Sequence, residues 1–290
     1  VKEMRRNLLK STVIVIKQFG KSKLGVAGLV IIFAFAFMAI AAPILTPYDP
    51  NKTFLTRPFQ PPSLEHPLGT DDAGRDVLSQ IIYGSRVSLL IGISAAIVGT
   101  LLGTTIGLFS GYFGGVVDTV LMRITDVFMI IPMVPLAILL ALYIGPSLFN
   151  IVILLGFLGW PGIARQIRSQ VLSLREAQFI EAIRALGAGN VRIMFVHILP
   201  NVVGLMIANM IGGAVGAIMA ESGLAFLGVT DPRNISWGRI ISRSLGSGAV
   251  IKGAWWTLLP PGICIALLAC GFSFFSHGLM LLLTPRLRGQ

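Results

Sequence analysis

A chain of 290 residues that is 54% hydrophobic and only 12% charged, with a mean hydropathy of +0.84, has too little charge to clothe the surface of a soluble domain. Its exterior must meet hydrocarbon, which excludes a water-soluble globular enzyme and predicts an integral membrane protein. The net charge of +11, from 23 Lys and Arg against 12 Asp and Glu, does not require a nucleic-acid partner, because the basic residues lie between apolar runs and not along one stripe.

Residues 1–23 form a basic tail carrying Lys2, Arg5, Arg6, Lys10, Lys17, Lys21 and Lys23, and residues 24–290 read as a transmembrane domain. Crossing the hydrocarbon takes roughly 20 apolar residues in a helix, so stretches free of Asp, Glu, Lys and Arg count as spans. The first, residues 24–48, is too long for a secretory apolar region and precedes no small-residue cleavage site, so a retained span is expected. A loop at 46–86 leads to the second, residues 87–117, where Ala95, Gly99, Gly103, Gly107 and Gly111 recur every four residues. The third, residues 127–164, is too long for one crossing and is divided by Gly145-Pro146-Ser147, with Pro132 and Pro135 expected to kink its first half. After a loop at 165–197 comes residues 193–220, where Gly204, Ala208, Gly212, Gly216 and Ala220 repeat the four-residue spacing. A loop at 222–254 precedes the last stretch, residues 253–285, which holds Cys264 and Cys270 on different helix faces, read as small buried apolar residues and not as a disulfide or metal pair.

Six crossings put both termini on one side. With the basic tail in the cytoplasm, the inner segments hold 15 Lys and Arg against 5 carboxylates and the outer ones 8 against 7, which accords with the positive-inside tendency. The loops 46–86 and 222–254 are then outer and 165–197 is cytoplasmic. Each small-residue ribbon lets another backbone approach closely, and helix packing is the expected role, with lining of a path as the alternative. Trp160, Trp255 and Trp256 are expected as interfacial anchors.

The loop at 165–197 is more than a connector. From Gln178 to His197 it reads QFIEAIRALGAGNVRIMFVH: Phe179, Ile180, Ile183 and Leu186 are spaced for a short helix, Gly187-Ala188-Gly189 makes a turn, and a second apolar-periodic stretch follows. Glu181 and Arg184 are placed to pair at i, i+3, and Gly187 permits a left-handed bend. Two short helices on a membrane surface would make a docking knob. Glu181-Ala182-Ile183, Gly187 and Leu199-Pro200 match in order and spacing the signature E-A-A-x3-G-x9-I-x-L-P, so the chain resembles the permeases of ABC importers, with Ile183 in place of the usual Ala and His197 in place of the usual Ile.

A second likeness narrows the family. Residues 67–79, PLGTDDAGRDVLS, together with Ser110-Gly111-Tyr112-Phe113-Gly114-Gly115 and residues 221–228, ESGLAFLG, are similar to the C-type subunit of oligopeptide, dipeptide and nickel importers over nearly the whole chain. The end around His277 departs from that pattern, which carries acidic residues there. Asp71, Asp72 and Asp76 are read as solvated or helix-capping residues, not as cation ligands.

The resemblance implies an all-α integral membrane protein with the six-helix type I importer permease fold and cytoplasmic termini, in the cytoplasmic membrane of a prokaryote. It implies translocation of peptides, or alternatively nickel or oligosaccharides, and four kinds of neighbour: a homologous B-type permease, two ABC ATPases, an extracytoplasmic binding protein and membrane lipid. Glu181, Ala182, Ile183, Arg184, Ala185, Gly187, Ala188, Asn190, Arg192, Leu199 and Pro200 become the ATPase-coupling residues. ATP and Mg are then expected on the partners, with no cofactor, metal or catalytic residue on this chain. The residues agree: Gly20-Lys21-Ser22 lacks the leading glycine of a phosphate loop, having Val15 there, and His66, His197 and His277 have no ligand spacing. An ion-coupled transporter would keep ionisable groups inside its spans, where the charge-free stretches leave only His277, and an intramembrane enzyme would need a nucleophile and base pair that is missing.

Overall fold

The computed structural model describes residues 19–20 and 22–283. The tail cations Lys2, Arg5, Arg6, Lys10, Lys17 and Lys21, and Thr284 and Pro285, lie outside the described residues. Those described are helical apart from loops and one isolated bridge, Thr70 to Asp76. Helix α1, Lys23–Ile40, starts where the Ser22 side chain accepts the Gly25 N–H at 3.1 Å. Helix α2, Val77–Phe113, is followed by α3, Gly115–Ile130, and α4, Met133–Ile144. Then come α5, Leu148–Arg175, the short α6, Gln178–Ala185, and α7, Asn190–Phe226. Helix α8, Trp237–Gly246, and α9, Leu259–Leu283, complete the chain.

Five of the helices are long and apolar enough to cross a membrane, and α3 with α4 makes a sixth candidate bent by 90°. The bend is the expected proline kink carried to a full break. Ile131 donates to the Val127 carbonyl to end α3, and Pro132 caps α4, so that Pro135 falls in a first turn whose N–H groups have no helical acceptor. The predicted turn at Gly145-Pro146-Ser147 separates α4 from α5, with Gly145 at φ +90°.

The first glycine ribbon is the central seam. A Cβ on Gly103 would lie 2.7 Å from Ile163 Cβ and 2.8 Å from the Trp160 carbonyl oxygen, and one on Gly107 would lie 2.5 Å from the Ala164 carbonyl oxygen. Gly99 meets Gly156 and Gly111 meets Val171 and the Arg168 carbonyl in the same way, so α2 and α5 touch backbone to backbone over four turns. A second seam joins α1 to α9, where a Cβ on Gly28 would lie 2.4 Å from the Phe275 nitrogen. The ribbon on α7 behaves differently. Among the described residues nothing lies within 4 Å of a Cβ on Gly212 or Gly216, so at these two positions the expected packing has no partner there; both residues are exposed.

The helices also outrun the charge-free stretches, because a lack of charge marks hydrocarbon depth while hydrogen bonding carries a helix on into water. Arg86 lies in α2, Asp118, Arg123 and Asp126 in α3, Arg165 and Arg168 in α5, and Glu221 in α7. Trp160 and Trp256 are buried and not free as anchors: Trp160 packs edge-on against Phe128, and Trp256 donates Nε1–H to the Thr70 carbonyl at 3.1 Å. Only Trp255 of the three is exposed. Cys270 is exposed as well, so burial fails for that thiol.

The loop before α2 is a folded unit. Asp71 accepts from the Ala73 and Arg75 N–H groups, from Arg75 Nε at 2.7 Å and from Gln80 Nε2 at 2.9 Å, and Asp76 caps α2 through the Ser79 N–H while bonding His66 Nδ1 at 3.0 Å. Asp76 therefore caps a helix as expected, but it and Asp71 are buried and not solvated. This unit and α8 share one end of the bundle; α6 lies at the other.

Candidate functional site

The surface at residues 178–200 is built from its root outward. Ile180 has no exposed surface and enters an apolar cluster with Leu108, Ile167, Val171, Ile193, Met194 and Ile198, against which Ile183 and Ala188 pack. The helix closes by chemistry that demands glycine. Gly187 N–H reaches the Arg184 carbonyl at 3.0 Å and Ala188 N–H reaches the Ile183 carbonyl at 3.3 Å, the paired bonds of a left-handed C-terminal cap, with Gly187 at φ +84°. Among the described residues no atom lies within 4 Å of a Cβ at this position, so the need for glycine is conformational and not steric.

The structure brings Glu181, Ala182, Arg184, Ala185, Gly187, Asn190 and Arg192 to the exposed face of this knob. It does not pair Glu181 with Arg184, as no ion pair joins them among the described residues; both charges point to solvent. Leu186 is 87% exposed and Val191 69%, so the apolar periodicity divides: Ile180 and Ile183 root the knob while Leu186 leaves the helix at its cap and stands free. The two alanines between them keep the face shallow. The knob thus exposes apolar Leu186 and Val191 on the same segment as the charged Glu181, Arg184 and Arg192.

Only α6 is a separate short helix. The second half of the knob is the start of α7 itself, which departs from α-helical bonding at Ile193–Ile198, where the Leu199 N–H reaches back five residues to Met194. The cause is Pro200, which has no N–H to give and whose ring crowds the carbonyl of the preceding turn, so the turn widens. Leu199 is partly buried against the root cluster and Pro200 is exposed.

Sequence reasoning passed over Tyr112. Its hydroxyl donates to Asn190 Oδ1 at 2.9 Å, tying the end of α2 to the knob, and its carbonyl accepts from Arg175 Nη1 at 3.2 Å. Beside it Asp118 takes both Arg168 nitrogens and the Ser110 hydroxyl, which joins α3 to α5 and α2. The signal was present in Ser110-Gly111-Tyr112-Phe113-Gly114-Gly115, where one tyrosine stands among small residues. Tyr112→Phe is expected to leave the bundle folded and to lower its thermal midpoint by about 1–3 °C, since one partly exposed neutral bond contributes about 1 kcal/mol. Limited proteolysis should then cut residues 186–192 faster than in the wild type; equal rates would show that the bond does not hold the knob.

Among the described residues, no three His, Cys, Asp or Glu side chains come together in a way that would hold a metal ion. What this surface offers is a rigid protrusion continuous with a membrane-crossing helix.

The chain is similar to known proteins over most of its length. Residues 103–289 match the family described as binding-protein-dependent transport system inner membrane component, and residues 12–62 match the N-terminal TM domain of oligopeptide transport permease C. The chain is 40% identical over 273 residues to the dipeptide transport system permease protein DppC of Alkalihalophilus pseudofirmus, covering 94% of this chain and 89% of the relative. It is 37% identical over 273 residues to the oligopeptide transport system permease protein OppC of Bacillus subtilis, covering 93% and 88%. A putative peptide transport system permease protein of Brucella suis is 38% identical over 262 residues, covering 90% and 87%. A glycine-seamed helical bundle that carries a capped knob on a crossing helix, matched over this length, belongs to the inner membrane components of binding-protein-dependent transport systems.

Proposed function

We propose that this chain is one of the two transmembrane subunits of an ATP-driven importer that moves di- and oligopeptides across the bacterial cytoplasmic membrane. The knob at 178–200 carries the reading, because it is a rigid protein-docking surface built into the start of a crossing helix. The names of the relatives, which specify dipeptide and oligopeptide transport, support the substrate class. In this reading the knob faces the cytoplasm, on the side favoured by the excess of Lys and Arg, and two ATPase subunits hold it with ATP and Mg on their own residues. The loop 46–76 and α8 face outward, toward a binding protein that delivers the peptide. The exposed glycine face of α7 is left for a homologous permease or for the path between the two subunits. Closure of the ATPase pair on ATP would displace α6, and the continuous α7 would carry that displacement into the bundle.

Reconstitution tests this directly. With its partner permease, ATPases and binding protein in liposomes, the chain should support uptake of a labelled dipeptide or oligopeptide that stops when ATP is omitted. Uptake driven by an ion gradient without ATPases, or uptake of nickel or oligosaccharides alone, would overturn the proposal.

A further inference from the structure

Glu221 lies in α7 with 1% of its surface exposed, at the end of the bundle opposite the knob. The Ser236 hydroxyl donates to its Oε1 at 2.6 Å, but among the described residues Oε2 has no hydrogen-bond partner, and neither has the buried hydroxyl of Thr230. Both residues line one small cavity, walled by Val87 of α2 and Ile151 of α5 and bordered by Asn234, with room for a single water-sized guest. Two buried polar groups left open toward the same space indicate something bound between them.

Of the charges nearby, the Asp231–Arg233 pair is already committed. Asp231, at the rim, is held by the Arg233 side chain at 3.1 Å, whose hydrogen bonds keep its carboxyl below the usual range and therefore ionised. Asn234 gives its amide nitrogen to the same carboxylate at 3.3 Å, so its carbonyl oxygen is the end not engaged there. Arg239 donates its backbone N–H to Ser236; its side-chain Nε is buried without a hydrogen-bond partner, and among the described residues it makes no ion pair with Glu221. No cation of this chain therefore neutralises Glu221 among the described residues, although an ionised carboxylate buried without a counter-charge is costly. The oxygens on offer, carboxylate, hydroxyl and amide, suit a hard ion; of the two carboxylates lining the cavity Asp231 is neutralised by Arg233, so Glu221 alone suits a single positive charge; and the space excludes a peptide ammonium group.

We propose that this cavity binds one sodium-sized monovalent cation through Glu221 and Thr230. The ion clamps residues 227–236 against α2 and α7, and with them the start of α8, where Trp237 already donates Nε1–H to the Ile81 carbonyl at 3.0 Å and its backbone N–H to Ser88 at 3.2 Å. The site thus steadies the bundle end that bears α8.

The test is thermal unfolding of the full chain in detergent, in sodium chloride against N-methylglucamine chloride at equal ionic strength. Sodium should raise the midpoint saturably by about 2–6 °C, as expected for a ligand present well above its dissociation constant. Glu221→Gln should remove the sodium response. Thr230→Val, which keeps the shape, should shift its half-saturation about tenfold upward, the effect of losing one oxygen ligand of roughly 1.4 kcal/mol. Equal wild-type midpoints in the two salts would overturn the proposal. So would a sodium response unchanged in Thr230→Val, or a midpoint that follows pH alone, which would mean that a proton neutralises Glu221.

Discussion

Gly107→Leu should yield no folded bundle, and even Gly107→Ala should lower its stability by about 2–3 kcal/mol. The first atom added at this position would stand 2.5 Å from the Ala164 carbonyl oxygen, 2.8 Å from Ile167 Cβ and 3.0 Å from the Arg168 nitrogen. Two of those three are backbone atoms, which no rotamer change can move aside, so relief requires the two helices to part. Parting them forfeits contacts on both sides of the site, because Gly103 and Gly111 are equally tight against α5. Gly162→Ala is the control. It lies on α5 itself with nothing within 4 Å of the new atom, and there alanine should stabilise by about 0.5–1 kcal/mol through helix propensity alone. Thermal midpoints of the two alanine variants in one detergent should therefore move in opposite directions. Similar midpoints would show that the α2–α5 seam is looser than its geometry.

The second large effect falls on coupling. Glu181→Lys changes an exposed side chain with no ion-pair partner among the described residues, so folding and insertion should be untouched, while transport should fall tenfold or more through loss of ATPase contact. Gly187→Val acts on the same surface by another route: a β-branched residue at φ +84° costs about 1–2 kcal/mol locally, enough to open the cap and re-aim Leu186 without disturbing the buried root. Gly187→Asn tolerates the left-handed region and should recover part of the activity. The measurements are membrane abundance, copurification of the ATPases and peptide uptake. Normal uptake with full copurification in Glu181→Lys and Gly187→Val would remove the knob from the mechanism.

Much of this was legible in the sequence, for identifiable reasons. Charge-free length reports hydrocarbon, so the crossings could be counted, and the four-residue glycine repeat reports a close face, as Gly99 to Gly111 show. Partners were not legible. The ribbon through Gly212 and Gly216 has the same spacing as the one on α2 but meets nothing here, because spacing describes one surface and says nothing of what lies opposite. Pro132 foretold a kink, but the 90° angle depends on how α4 packs. Glu221 was set outside its span because charge was used to draw the boundary, and a buried carboxylate satisfied on one side by Ser236 violates that rule. Trp160 was expected at an interface from its place along the spans and lies inside, facing Phe128.

Helix α2 has 37 residues, about 55 Å at 1.5 Å per residue, against a hydrocarbon thickness of about 30 Å. It therefore stands proud of the membrane, with Asp76 set in the folded loop at one tip and Tyr112 over the knob at the other. One unbroken rod, stiffened along its length by the α5 backbone, gives the two aqueous faces of the protein a common mechanical axis. A tilt imposed at either tip is felt at the other without passing through any loop, so the folded loop and the knob are geared to the same shaft.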